Sequence, residues 1–376
     1  MKEENPIPTG KLFFELIQIS LGRRQDFSCP PSSSQWPVLY RLAMKQALAG
    51  VLYVGVERAL AQHPLSERRP QWLIDWVGTR MSIEHENERL NGRARDVTEL
   101  FSHLGHRSCV LKGQGVALYY PEPLLRQSGD IDLWVEGSRD DIERLLRERW
   151  EVSDEVYHHF GVAIYDDVET EIHVTPSWLY NPIANARLQR FFREQAPKQF
   201  THFASQTESG DGARLGFNCP TLVFNLVFSL SHIWHHFFDE GVGLRQLMDY
   251  YYILLHSSAE ERAEALTILR SLHMDGLAAA VGFILERGFG LDEAHQLCPS
   301  DTWRGTLLLK EVIQGGNFGQ YRTVGRASAS ENALQRGWRK TKRQIRFLRA
   351  FPCEVPWIPL WKCWHLVWRL RRGYQI

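Results

Sequence analysis

Asp130 and Asp132, in the run Gly129-Asp-Ile-Asp-Leu-Trp-Val135, are the residues of this sequence best suited to chemistry. On a β-strand successive side chains leave opposite faces, so the two carboxylates share one face and Ile131 and Leu133 point into the core. Paired carboxylates repel each other unless a cation neutralises them, and hard oxygen donors suit Mg²⁺ or Mn²⁺. Removing one of the pair is therefore expected to relieve repulsion in the ion-free protein. Further along, Val168-Glu-Thr-Glu-Ile-His-Val174 reads as a second strand with Glu169, Glu171 and His173 on one face. Laid beside the first strand, it brings Glu171 to the pair as a third carboxylate. Three carboxylates are enough for two cations, which together activate an attacking oxygen and stabilise a leaving one in phosphoryl chemistry. His173 reads equally as a structural hydrogen-bonding residue or as part of the site.

Upstream, Lys112-Gly113-Gln114-Gly115 joins a β-rich run to a helical one. Gly113 and Gly115 permit close backbone approach, and a helix start attracts phosphate. His232, His235 and His236 have a spacing that suits either zinc or a packed helix facing a cleft. Arg245 and Asp249, four residues apart, read as a helix-surface pair or as cleft residues.

These residues need elements to hold them. Between Ser108 and Thr175 short β-rich runs alternate with helical ones, and HFGVAIY followed by Asp166-Asp167 and VETEIHV reads as a hairpin. Helical spacing occupies Trp36 to about Gly105 and returns after Pro176. The fold class expected is α+β: a small mixed-sheet core at 106–176, a helical N-terminal region at 1–105, a helical C-terminal domain at 177–330 and a basic, Trp-rich tail at 331–376.

Across the 376 residues, 44 Lys plus Arg balance 44 Asp plus Glu, so no overall field favours nucleic acid. With 44% hydrophobic residues the composition is that of a folded globular protein. The six cysteines form no Cys-x-x-Cys pair, which suits reduced thiols in a cytoplasm. The charged, Pro-broken start lacks a secretory signal, and the uncharged stretch 215–238, rich in His, Ser and Asn, reads as a buried helix rather than a membrane span. From residue 335 onward eleven Lys or Arg face one acid, Glu354, leaving 33 basic against 43 acidic residues elsewhere. Trp357, Trp361, Trp364 and Trp368 recur there at helical spacing, although Pro352, Pro356 and Pro359 break any long helix. Two readings follow: contact with an anionic membrane surface or acidic partner, at the inner face of the membrane, or docking onto the acidic body of the protein.

The order of a Gly-containing strand-to-helix turn, D-x-D on the next strand and a later h-E-h resembles the DNA polymerase beta-like nucleotidyltransferase superfamily. More narrowly, LKGQGVALYYPEPLLRQSGDIDLWV, EIHVTPSW, SLSHIWHHF, GLRQLMDYY and GGNFG look like the bacterial family of uncharacterised nucleotidyltransferases. The resemblance implies that Asp130 and Asp132 bind a nucleotide-bound Mg²⁺ or Mn²⁺, and that Glu171 helps bind a second ion and activates an acceptor hydroxyl. It makes Lys112 and Arg126, with Gly113 and Gly115, candidates for an ATP-like triphosphate, and puts His173, His232, Arg245 and Asp249 near a substrate cleft. The product would be a protein, peptide or small molecule carrying a nucleotidyl group, with pyrophosphate released. The Gly-Ser pair common in the superfamily is Gly113-Gln114-Gly115 here, so Lys112 or backbone amides would substitute for the missing hydroxyl. That departure keeps open an alternative: a non-catalytic nucleotide- or partner-binding protein that retains the fold.

Overall fold

The computed structural model describes residues 8–65, 69–153, 155–203, 216–320 and 341–374. The start of the chain and the first part of the basic tail, Trp338 included, lie outside the described residues. The described chain is α+β, a small mixed sheet with helical flanks.

Five strands form that sheet: β1 (Ser108–Leu111), β2 (Ile131–Val135), β3 (Val152–Ser153), β4 (His159–Val162) and β5 (Thr170–His173). Their order is β1-β2-β5-β4-β3, with β2 and β5 parallel and every other pair antiparallel. All five fall inside 106–176, and β4 and β5 make the hairpin read from the sequence.

Alternation along β2 divides the molecule. Ile131, Leu133 and Val135 face α4 (Gln71–His103) and α6 (Arg139–Arg147), and share a core with Leu90, Ala94, Val97, Phe101, Ile142 and Leu146. The α4 positions recur at helical spacing, which is why a helix of mostly polar residues still docks along one stripe. The opposite face presents Asp132 and Trp134. Trp134 stacks on Phe224 of α8 (Leu222–Asp239), with ring centroids 5.6 Å apart and planes 20° from parallel. Helix α8 is buried around most of its circumference from Val223 to Phe238, and among the described residues no helix is long and apolar enough to cross a membrane. Helix α9 (Leu244–His256) follows α8 after a short turn, and the two close over the carboxylate face of the sheet.

The remaining helices are α1 (Thr9–Ser20), α2 (Trp36–Lys45), α3 (Ala49–Gln62), the short α5 (Gly113–Ala117), α7 (Pro182–Gln199), α10 (Ala259–Ser271), α11 (Asp275–Ile284), α12 (Thr302–Gly315) and α13 (Trp357–Arg372). The sequence reading began its helices at Trp36 and passed over α1. That helix starts just after Pro8 and buries Leu12, Phe13, Leu16, Ile17 and Ile19 against α3 and the turn at Leu285–Phe289. One continuous apolar cluster runs from Leu12 to Ile358, joining both ends of the described chain.

The tail forms a longer helix than its prolines suggest. Pro356 caps α13 and Pro359 lies in its first turn, where backbone N–H groups have no helical partner to lose. Trp361 stacks on Trp178 at 3.8 Å with planes 4° apart, and Trp368 packs beside Tyr157 and Tyr374. Arg372 pairs with Asp140 and Lys362 with Asp239, so part of the basic charge meets acids of the body. Glu354, the tail's one acid, is buried and accepts hydrogen bonds from the Tyr180 and Asn181 N–H groups at 2.5 and 3.2 Å. Trp364 also packs edge-on against Tyr157 at 5.7 Å but stays about half exposed, as do Leu360, Val367 and Leu370.

Candidate active site

The parallel pairing of β2 with β5 sets Asp132 directly beside Glu171. Antiparallel pairing of β4 with β5 sets His159 opposite His173. Four side chains from three adjacent strands therefore meet on one face of the sheet. His173 Nε2 lies 2.9 Å from Asp132 Oδ1 and 3.3 Å from Glu171 Oε2, and His159 Nδ1 lies 3.2 Å from that same Glu171 oxygen. Asp130, one residue before β2, lines the same cleft, whose volume is about 420 Å³.

Lys112 reaches this face from the turn after β1. Its backbone sits at φ +45°, and Gly113 follows at φ +34°. A left-handed lysine costs on the order of 1–3 kcal/mol and persists only where its surroundings impose it. The turn delivers Lys112 Nζ to 2.6 Å from Asp132 Oδ1. Burial disfavours the ammonium, but Asp132, Glu171 and Asp130 outweigh it, so the Lys112 pKa is raised. Burial pushes the Glu171 carboxyl up, while the His173 hydrogen bond and the Lys112 charge push it down further, below the usual carboxylate range. His173 is held above the ordinary imidazole value because its bonds to Asp132 and Glu171 overcome its burial. The carboxylates are thus matched by local cations, not left to repel one another.

Other histidines around the cleft are held neutral. Burial lowers the pKa values of His158, His159 and His232 well below the ordinary value, and that of His235 to about 4. Trp178 packs edge-on against His235 with ring centroids 4.3 Å apart, and both line the cleft. His232, His235 and His236 diverge: His232 faces His236, His236 bonds Glu240 and His235 turns toward Trp178 and Asp239. Among the described residues these three form no metal-holding group.

Arg126 and Asp249 meet each other. Nε donates to Oδ1 at 2.7 Å and Nη2 to Oδ2 at 2.8 Å, while the Tyr120 hydroxyl donates to Oδ1 at 2.6 Å. A third Arg126 nitrogen, Nη1, donates to Ser128 Oγ at 2.8 Å. This buried pair ties the segment before β2 to α9, and both residues line the same cleft as Asp130 and Asp132, so Asp249 is a cleft residue paired with Arg126 rather than half of a helix-surface pair with Arg245. Arg245, also buried, donates to the Gln127 carbonyl at 2.8 Å and lines the cleft.

Gly113 lines the cleft, but Gly115 does not. A Cβ at 115 would lie 2.7 Å from the Val110 carbonyl oxygen, so glycine is required there for α5 to lie against β1. Gln114 is buried and donates to Asn87 Oδ1 at 3.3 Å. Sequence reasoning passed over His158, His159 and Trp178. The signal for His159 was present, since a histidine placed to pair opposite His173 in the expected hairpin must share its face.

Asp132, Glu171 and His173 present donor atoms within 4.8 Å of one another, and His158, His159 and His173 do the same. Such a donor set, with Asp130 beside it, fits a divalent cation. A mixed sheet carrying these carboxylates beside a strand-to-helix turn is an arrangement suited to phosphoryl chemistry. Residues 32–287, which hold all five strands and helices α2 to α11, match the family model described as uncharacterised nucleotidyltransferase, and the chain belongs to that family. No curated protein matches the chain.

Proposed function

We propose that the protein transfers a nucleotidyl group from a nucleoside triphosphate to an acceptor hydroxyl on a protein, peptide or small molecule, with a divalent cation. The observation that carries this reading is the in-register pair Asp132 and Glu171, with Asp130 and Lys112 beside it in one cleft. Asp130, Asp132 and Glu171 would hold Mg²⁺ or Mn²⁺, which when bound neutralises charge developing on the transferring phosphoryl group.

The acceptor oxygen attacks the α-phosphorus, the bond to the bridging oxygen of the β-phosphate breaks and pyrophosphate leaves. Glu171, kept ionised by His173 and Lys112, accepts the hydroxyl hydrogen. Lys112 balances Asp132 in the resting protein and is within reach of the phosphates once the triphosphate arrives, where a preorganised cation stabilises transition-state charge. Arg126 is a positioning residue: its pairing with Asp249 fixes the segment that leads into Asp130. The neutral imidazoles of His158, His232 and His235 and the Trp178 ring offer polar and aromatic contacts to an acceptor in the same cleft.

The test is incubation of the protein with each α-labelled nucleoside triphosphate, Mg²⁺ or Mn²⁺ and a cell lysate. A labelled product that disappears with Asp130→Asn supports transfer, and equal labelling by that variant contradicts it.

A further inference from the structure

We propose that His173 is a direct metal ligand beside Asp132 and Glu171, with His159 as a further nitrogen donor, so that the ion on the acceptor side of the cleft is a borderline transition metal such as Zn²⁺ or Fe²⁺ rather than Mg²⁺. The inference rests on the reading of this cleft as a cation site and concerns which donors, and hence which ion, that site uses.

The geometry comes from strand register. Asp132 on β2, Glu171 and His173 on β5, and His159 on β4 occupy one sheet face as direct or next-but-one neighbours. Their donor atoms are separated by 2.9, 3.3 and 3.2 Å. Ligands about 2.1 Å from a shared ion stand about 3.0 Å apart at the corners of an octahedron and about 3.4 Å apart in a tetrahedron. The observed separations fall across that range. A hydrogen-bonding account covers less of it. A single ring nitrogen carries at most one hydrogen, yet Nε2 of His173 faces two carboxylate oxygens. One cation satisfies both carboxylates and the imidazole together.

Donor chemistry then selects the ion. Carboxylates alone suit Mg²⁺ and Mn²⁺, whereas imidazole nitrogen favours Zn²⁺, Fe²⁺ and their neighbours; Mn²⁺ also enters mixed oxygen–nitrogen donor sets and is paramagnetic. His158, whose ligand atom lies within 4.8 Å of those of His159 and His173, adds a third imidazole at the same edge. Lys112 Nζ lies 2.6 Å from the same Asp132 oxygen that faces His173, so an ion binds as the ammonium moves off that oxygen. The cleft would hold a hard, oxygen-ligated position at Asp130 and Asp132 and a mixed oxygen–nitrogen position at Asp132, Glu171 and His173.

Pulsed electron paramagnetic resonance of the full-length protein loaded with one equivalent of Mn²⁺ tests this without any turnover. The expected result is ¹⁴N modulation from coordinated imidazole, which changes to the ¹⁵N pattern when the protein is grown with ¹⁵N-histidine. That isotope exchange does not depend on a variant folding. His173→Gln should weaken Mn²⁺ affinity at least tenfold and remove most of the modulation, and His159→Gln, at a less buried position, should reduce it. Zn²⁺ should displace the bound Mn²⁺ at concentrations at least a hundredfold below those needed with Mg²⁺. Bound Mn²⁺ with no nitrogen modulation would overturn the histidine ligand and leave the carboxylate cation site standing. Failure to bind Mn²⁺ at all would overturn both.

Discussion

Replacing Asp132 by asparagine removes a charge that the fold has already matched. Considered only as one of two adjacent carboxylates, Asp132 should be a source of repulsion, and its neutralisation should stabilise the ion-free protein slightly. The structure reverses that sign. The Asp132 side chain is 2% exposed, lies 2.6 Å from Lys112 Nζ and accepts from His173 at 2.9 Å. Asparagine would leave the Lys112 ammonium in the cleft without its nearest counter-charge. Breaking a buried pair by removing one partner costs roughly 3–5 kcal/mol, and because the Lys112 side chain is 19% exposed and reaches water in part, the lower end applies. We expect Asp132→Asn to lose about 3 kcal/mol. Asp130 lies before the strand and is only partly buried, so Asp130→Asn should change stability by no more than about 0.5 kcal/mol. Urea unfolding of both variants and the wild type, in EDTA to keep cations out, measures the difference through the midpoints at unchanged slope. An Asp132→Asn protein as stable as wild type, or more so, would refute the claim that Lys112 and His173 neutralise the pair.

Other outcomes follow from the same contacts. Asp249→Ala should cost about 3–5 kcal/mol because it strands the Arg126 guanidinium, whereas the double change Arg126→Met with Asp249→Leu should recover much of that loss in a denaturation cycle. Glu171→Gln should reduce transfer by about 100-fold or more while calorimetry finds nucleotide affinity within a few-fold of wild type; a collapse of affinity would reassign Glu171 to the nucleotide side. Burial pushes the Glu354 carboxyl up to about 7 from an ordinary 4.5. An acid with a raised folded pKa contributes stability that is present below about 4.5 and is lost as pH rises to 7, at most roughly 3 kcal/mol. Glu354→Gln should abolish that slope, and unfolding midpoints at pH 4.5 and 7.5 that shift equally in variant and wild type would contradict it.

The features legible in the sequence were those set by local period and local composition. The alternation around Asp130 and Asp132, the β4–β5 hairpin and the burial of α8 all follow from spacing within a few residues. What escaped depended on pairing at a distance or on backbone detail. Arg126 and Asp249 are 123 residues apart, and nothing near either one names the other. The strained turn that carries Lys112 to Asp132 is a property of φ, invisible in a residue type that normally avoids it. Gly115 looked like a phosphate-loop glycine because close backbone approach is what glycine permits, but the approach is to Val110. Helix α1 was missed because its charged and Pro-rich approach masked the apolar residues Leu12 to Ile19.

Isotope position shows which part of the triphosphate is transferred, and an active-site variant shows which residues hold it. Parallel reactions with α-labelled and γ-labelled nucleoside triphosphate, each run with wild type and Asp130→Asn, separate the possibilities. The account predicts that the α label moves to an acceptor, that the γ label appears in pyrophosphate and that both signals vanish in Asp130→Asn. Transfer of the γ label with the α label left in a nucleoside diphosphate, or label transfer undiminished in Asp130→Asn, would contradict it.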